Sequence, residues 1–142
     1  MNGLDPGFRK KLDAFEDALR RHGLHVKLVC GYRSIQEQNR LYALGRTKPG
    51  RIVTNARGGY SWHNFGLAAD YAFVVNGKLT WDGPWGTFGI IARECGLEWG
   101  GDWERFPDRP HVQWRQGRTL AQMRRLSGKA RNSNIEVRNN TK

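Results

Sequence analysis

The chain has 142 residues, enough for one domain to bury a substantial core without disulfide or metal staples. It contains no apolar run of about eighteen residues, which excludes a transmembrane helix. Its opening, Met1-Asn2-Gly3-Leu4-Asp5-Pro6, lacks the basic and apolar regions of a secretory signal, so a soluble protein made in the cytoplasm is expected. A net charge of +11 points to an anionic partner, for which nucleic acid, a membrane surface and an anionic cell wall all qualify.

Asp5-Pro6 predicts a helix start, and Phe8, Leu12, Phe15 and Leu19 mark one buried face before Gly23 stops the helix. Leu24, Val26, Leu28 and Cys30 then alternate with their neighbours as a strand ending at Gly31, which delivers Arg33 to a strand-to-helix junction. Ser34-Ile35-Gln36-Glu37 reads as a capping box opening a helix that carries Leu41, Tyr42 and Leu44 and ends at Gly45. From Arg46 to Tyr60 a long basic stretch without apolar periodicity is expected to form the lip of a cleft.

Leu67 to Val75, Asn76-Gly77 and Lys78-Leu79-Thr80 predict a β-hairpin with Asp70 near the start of its first strand. Phe88, Ile91, Ala92 and Cys95 supply a helical face ending at Gly96, and a last short strand begins at His111. A further helix is expected across Leu120, Met123 and Leu126. The chain thus divides into a domain over 1–126 and a polar, basic tail over 127–142, with an α+β fold of helices packed on a small, mainly antiparallel sheet. Cys30 and Cys95 lie outside any metal or redox spacing and are expected to be buried, reduced and without a functional role.

The chemistry concentrates in Ser61-Trp62-His63-Asn64-Phe65-Gly66-Leu67-Ala68-Ala69-Asp70 and Asp108-Arg109-Pro110-His111. Two histidines and one carboxylate form the ligand set of a catalytic zinc that keeps one position open, so His63, Asp70 and His111 are candidate ligands of one Zn2+ ion. Their spacing is not that of a single HExxH helix, so a turn or short helix leading into a strand must bring His63 to Asp70. Asp108 is the candidate base, and Arg33 offers a guanidinium fork for a scissile carbonyl or a substrate carboxylate. Taken singly, each has a plain structural reading: a core histidine, a capping or turn aspartate, a surface ion pair. Asp102 and Glu104 compete as ligand or base, Asp102 also as a support for a ligand histidine. His22 and His25 flank a helix end and are read as structural.

In this order the motifs resemble the bacterial cell-wall zinc peptidases of the D-Ala-D-Ala carboxypeptidase (VanY-like) family, whose domain has a Hedgehog/D-Ala-D-Ala peptidase-like fold. The pattern SxHxxGxAxD is met by Ser61, His63, Gly66, Ala68 and Asp70, and an acidic residue three before a histidine by Asp108 and His111. The resemblance implies zinc on His63, Asp70 and His111, Asp108 as catalytic base, and Arg33 and Ser61 at the substrate. Gly31-Tyr32-Arg33-Ser34, Val53-Thr54-Asn55-Ala56 and Gly96-Leu97-Glu98-Trp99-Gly100-Gly101-Asp102-Trp103 are similar to the L-alanyl-D-glutamate endopeptidase branch, and Asp108 in place of the Glu usual elsewhere fits that branch.

A single-domain phage or prophage endolysin is therefore implied, monomeric, held in the host cytoplasm and acting on periplasmic peptidoglycan after holin-mediated release. The basic surface would add affinity for an anionic outer membrane. Two other readings stay open. One is a D,D-carboxypeptidase acting on D-alanyl-D-alanine stems. The other is a nucleic-acid-binding module using Arg115, Arg118, Arg124, Arg125, Lys129 and Arg131, which the lack of a zinc-finger framework or an RNP-like aromatic pattern disfavours, so no nucleic-acid partner is expected.

Overall fold

A computed structural model of the chain describes residues 3–128. Helix α1 spans Pro6–Arg21 and starts as the Asp-Pro pair dictates: the Asp5 carboxylate accepts from the Phe8 N–H at 3.0 Å, and Pro6 has no N–H to leave unsatisfied. Its four apolar residues at helical spacing, Phe8, Leu12, Phe15 and Leu19, are all fully buried. Each removes enough apolar surface from water to stabilise the fold by roughly 1.5–3 kcal/mol. Helix α3, Trp85–Glu94, packs beside α1, and Phe15 meets Phe88 and Tyr71 edge to face at 5.0 and 5.7 Å.

Both helices cover one face of a five-stranded, wholly antiparallel sheet: β1 Val26–Cys30, β2 Ala68–Val75, β3 Lys78–Thr80, β4 Glu98–Trp99 and β5 His111–Gln113. The order is β1-β2-β5-β4. Phe73 pairs with both Val26 and Thr80, and Asp70 with both Cys30 and His111, so β3 and β5 lie end to end along the edge of β2 opposite β1. The β2–β3 hairpin turns at Asn76 and Gly77, both at positive φ, as a two-residue connection requires.

Alternation sorts the sheet into two faces. Ala69, Tyr71 and Phe73 of β2 and Val112 of β5 point into the core under the helices, whereas Asp70, His111 and Gln113 point the other way. Strand β1 departs from the simple alternation its sequence suggests. A bulge between Leu28 and Cys30 sets Leu28 opposite Tyr71 but Cys30 opposite Asp70, so Cys30 joins the face of Asp70 rather than the core face of Val26 and Leu28.

Helix α2, Ile35–Ala43, opens at Ser34, whose hydroxyl accepts from the Glu37 N–H at 3.0 Å. The reciprocal half of the expected capping box is absent, because the Glu37 carboxylate binds Arg40 instead. Leu41, Tyr42 and Leu44 are only half-buried; the buried residue of α2 is Gln38. A last helix, α4, covers 120–128 and so runs past the expected boundary at 126; the remainder of the expected tail, 129–142, lies outside the described residues. Among the described residues no helix is long and apolar enough to cross a membrane.

Candidate metal centre

Residues directly opposite one another on neighbouring strands share a face, so the register alone places Cys30, Asp70 and His111 side by side across β1, β2 and β5. His63 arrives from a single 3-10 turn, Trp62–Phe65, just before β2, the turn-into-strand connection that the spacing of His63 and Asp70 demands. Ser61 caps that turn, and Asn64 completes a capping box by accepting from the Ser61 N–H. Gly66 ends the turn at φ 69°, where a Cβ would lie 2.2 Å from the Gly3 carbonyl oxygen, so neither backbone nor space admits another residue.

Asp70 forms the centre of the cluster: its Oδ2 lies 3.3 Å from His63 Nε2 and its Oδ1 3.0 Å from His111 Nδ1. The opposite nitrogen of each ring is already engaged. His63 Nδ1 lies 2.7 Å from the Gly31 carbonyl, to which it must donate, and His111 Nε2 lies 2.7 Å from Gln113 Oε1. A carbonyl can only accept, which leaves His63 Nε2 as the lone-pair nitrogen of a neutral ring; Gln113, whose amide donates to Glu98, fixes His111 in the same way. Tetrahedral zinc with bonds of about 2.0–2.1 Å sets neighbouring ligand atoms about 3.3 Å apart, so the donor set and its outward N–H anchors fit this ion. Asp108 Oδ2 lies 3.9 Å from His111 Nδ1, with the Asp108 side chain 49% exposed at the cleft mouth.

The Gln113 contact leads to a prediction. Glu98 is itself held by Arg115 at 3.1 Å, so Gln113→Leu removes the His111 anchor and leaves Glu98 without its amide donor. Zinc affinity is expected to fall about 10–100-fold, read by competition with a coloured chelator.

Without a metal, burial would lower the His63 pKa, but hydrogen bonds and charges from Asp70 and Cys30 outweigh it and raise the group to about 9. Burial pushes Asp70 up, yet the hydrogen bonds of His111 and His63 hold it well below the usual carboxylate range. Asp108 is shifted upward, first by burial in the cleft and then by Asp70, against the pull of His111.

Arg33 is fixed as closely as the histidines. Its N–H donates to the His63 carbonyl at 3.0 Å, its carbonyl accepts from the Asn64 amide at 2.9 Å, and its guanidinium donates to Gln38 Oε1 at 2.9 Å and Cys30 Sγ at 3.1 Å. Gln38 in turn donates to the Ala56 carbonyl at 2.7 Å, tying Arg33 to the 46–60 loop. The Asp108 backbone is pinned by its N–H to the Gly100 carbonyl at 2.9 Å, and a Cβ on Gly100 would come within 2.3 Å of the Asp108 carbonyl oxygen.

All six residues singled out from the sequence, Arg33, Ser61, His63, Asp70, Asp108 and His111, line one cleft of about 290 Å³. Val53, Thr54, Ala56 and Tyr60 line it as well, so the basic loop forms its lip. Asp102 does not support a histidine; it pairs with Arg93 at 2.9 Å, because it ends a 3-10 turn next to α3. Glu104 is exposed and outside the cleft lining, and His22 bonds the Ala18 carbonyl at the end of α1. The two cysteines are free and half-buried. Cys30 lies 3.9 Å from His63 Nδ1 as well as against Arg33, so it borders the site, contrary to expectation. Burial raises its thiol, but His63 and Arg33 prevail and lower it.

Sequence reasoning assigns no role of their own to Gln38, which is among the stretches similar to the endopeptidase branch, or to Asn64, which lies inside the central motif, and it does not single out Gln113. For Gln113 a signal existed, since a residue two past His111 on a strand must share its face.

The family profile described as D-alanyl-D-alanine carboxypeptidase (peptidase M15) matches residues 54–114. The chain is 43% identical over 121 residues to the peptidoglycan L-alanyl-D-glutamate endopeptidase CwlK of Bacillus subtilis, covering 78% of this chain and 72% of that protein. Its fold is similar to that of the L-Ala D-Glu endopeptidase ChiX of Serratia marcescens, with a TM-score of 0.58 and 26% identity over 78% of this chain and 80% of that one. It is also similar to that of a vancomycin resistance D,D-pentapeptidase VanY solved in complex with Zn(II), with a TM-score of 0.56 and 18% identity over 84% and 82% of the two chains. With its histidine and carboxylate donors gathered on one sheet face and a relative this similar over most of both lengths, the chain belongs to the M15 family of metallopeptidases.

Proposed function

We propose that the chain is a zinc-dependent endopeptidase that cuts the peptide stem of peptidoglycan between L-alanine and D-glutamate. The observation that carries the metal chemistry is the pair of outward ring N–H groups, on Gly31 and Gln113, that leaves His63 Nε2 and His111 Nδ1 both facing Asp70. The bond cleaved is supported by the similarity to CwlK. His63, Asp70 and His111 are the residues that would hold one zinc ion, which when bound supplies Lewis acidity to a carbonyl and lowers the pKa of water.

Asp108 acts beside that centre as general base. Its carboxylate takes a proton from the attacking water and delivers it to the departing amine nitrogen, and an upward-shifted pKa suits a group that must hold the proton between the two steps. Arg33 keeps N–H groups beyond those spent on Gln38 and Cys30, and these orient the substrate carbonyl or carboxylate. Ser61 lines the same cleft, its hydroxyl accepting from the His63 N–H at 3.3 Å and keeping its own O–H to donate to a substrate acceptor.

Metal loading should depend on pH. In the metal-free protein His63 titrates near 9, above its ordinary 6.5, so its imidazolium stabilises the fold fully below pH 6.5 and that contribution is lost as pH rises through about 9. Zinc requires the neutral ring, so between these values each bound ion displaces a proton. Apparent zinc affinity is expected to rise about tenfold per pH unit in this window, measured by calorimetric titration in buffers of differing ionisation enthalpy. A flat profile with no proton release would contradict this.

The deciding experiment is digestion of purified peptidoglycan with the zinc-loaded protein, followed by mass spectrometry of the new amino termini. New D-glutamate termini support the reading, whereas release of D-alanine would establish D,D-carboxypeptidase activity, the alternative that the family profile's description favours. We place the protein biologically as an endolysin, carried in the cytoplasm and released to the wall through a holin-opened membrane, a role that the charge of +11 suits through attraction to anionic envelope polymers. Expression in a bacterial host is expected to lyse cells only when a holin is co-expressed; lysis without one would refute the release step.

A further inference from the structure

The positive charge of this chain is unevenly neutralised. Arg9, Arg20, Arg40, Arg93 and Arg115 each have a carboxylate oxygen within 3.1 Å. Between Glu37 and Asp70, however, the sequence holds five basic residues, Arg40, Arg46, Lys48, Arg51 and Arg57, and no acidic one. This is the stretch that builds the cleft lip. On that lip Tyr60 draws in two guanidiniums: Arg57 stacks 4.4 Å from the ring centroid and donates to the phenol oxygen at 2.9 Å, while Arg124 stacks at 3.9 Å. Arg124 comes from α4, 65 residues beyond Gly59, to whose carbonyl it donates at 3.2 Å. Among the described residues neither arginine has a carboxylate partner.

A stacked guanidinium spends its π face on the ring and keeps its in-plane N–H edge for another acceptor. Each of these arginines has five N–H donors. Like charges gathered on one ring repel one another, and a phenol face and one carbonyl offset that only in part; an anion completes the arrangement. The Tyr60 hydroxyl senses the same field, for its pKa is lowered by the Arg57 hydrogen bond and then by the Arg124 and Arg57 charges. Tyr60 lines the cleft that holds His63, Asp70 and Asp108, whereas its two guanidiniums stand outside that lining, Arg124 bordering the neighbouring cavity with Gly59 and Asn64, so an anion here belongs to a ligand that extends past the cleft rim.

We propose that Arg57 and Arg124, held on the Tyr60 ring just outside the cleft, form a carboxylate-binding subsite that selects acidic stem peptides over their carboxamide forms. The proposal rests on the peptidoglycan-stem reading above and adds a specificity element distinct from Arg33. Two carboxylates of such a stem offer the same chemistry: the α-carboxylate of D-glutamate and the side-chain carboxylate of a diaminopimelate at the next residue.

The test is calorimetric binding of γ-D-glutamyl-diaminopimelate with its chain-terminal carboxylate blocked as the methylamide, and of its two forms further amidated at the D-glutamate α-carboxylate or at the diaminopimelate side-chain carboxylate, to the full chain and to R57Q and R124Q. The subsite requires that one amide bind about tenfold more weakly than the acid, which identifies the carboxylate that is read. It also requires that both variants lose about tenfold on the acid and bind that amide as weakly as the unaltered protein does. Equal binding of acid and amides by the unaltered protein, or equal losses on every form, would overturn it. The Arg57 side chain is exposed and anchors no helix, so R57Q decides the question even if R124Q loosens α4. Retained acid selectivity without new D-glutamate termini in the digest would sink the cleavage reading and keep the subsite; cleavage without selectivity would do the reverse.

Discussion

His63→Ala is expected to lose bound zinc and turnover together. The ring supplies one of three donors around Asp70, and its removal leaves two, in a pocket whose remaining neighbour Asp108 stands 3.9 Å from His111 at the exposed rim. A site of two donors does not hold zinc against a chelator, and without it neither the carbonyl nor the water is activated. Asp70→Ala and His111→Ala should behave alike, because Asp70 is the atom pair both rings face. The measurements are metal content by emission spectroscopy and release of D-glutamate termini. His22→Ala, at an exposed helix end, serves as the unaffected control. A His63→Ala protein that kept one zinc per chain and its turnover would remove His63 from the site.

Asp108→Ala should separate what His63→Ala joins. The Asp108 backbone is held by the Gly100 carbonyl and itself accepts from the His111 N–H at 3.2 Å, so truncating the half-exposed side chain leaves the loop and the ligand strand in place. Metal content and melting temperature are expected to stay unchanged. The loss is the general base, worth about 10²–10⁴ in kcat. Near-normal turnover in this variant would transfer the base role elsewhere in the cleft.

Much of this arrangement could be read from the chain because it rests on local rules. The Asp-Pro start of α1, its four buried apolar residues and the Asn-Gly hairpin follow from capping, periodicity and turn geometry, and each appears where those rules put it. The residues that line one cleft, Arg33, Ser61, His63, Asp70, Asp108 and His111, are legible through joint motifs rather than spacing alone. Less legible were contacts that no periodicity encodes. Gln38 is buried because it bridges Arg33 to Ala56, itself 18 residues further on, and Asn64 because its amide joins residues 33, 59 and 61. Cys30 was assigned to the wrong face because alternation assumes an uninterrupted ladder, and the β1 bulge adds one residue. Asp102, adjacent to the site in sequence, turned instead toward an arginine on α3.

The central pairing of Cys30, Asp70 and His111 also ties metal uptake to strand alignment. A slip of β2 by one residue would send Asp70 to the helix side and bring Ala69 or Tyr71 between the two histidines, so a misaligned sheet has no carboxylate to offer. On the proposed zinc reading the ion becomes a proofreader of the fold: during refolding, tight zinc capture is expected to mark the molecules whose three strands have met in step, and a chelator-resistant fraction would count them.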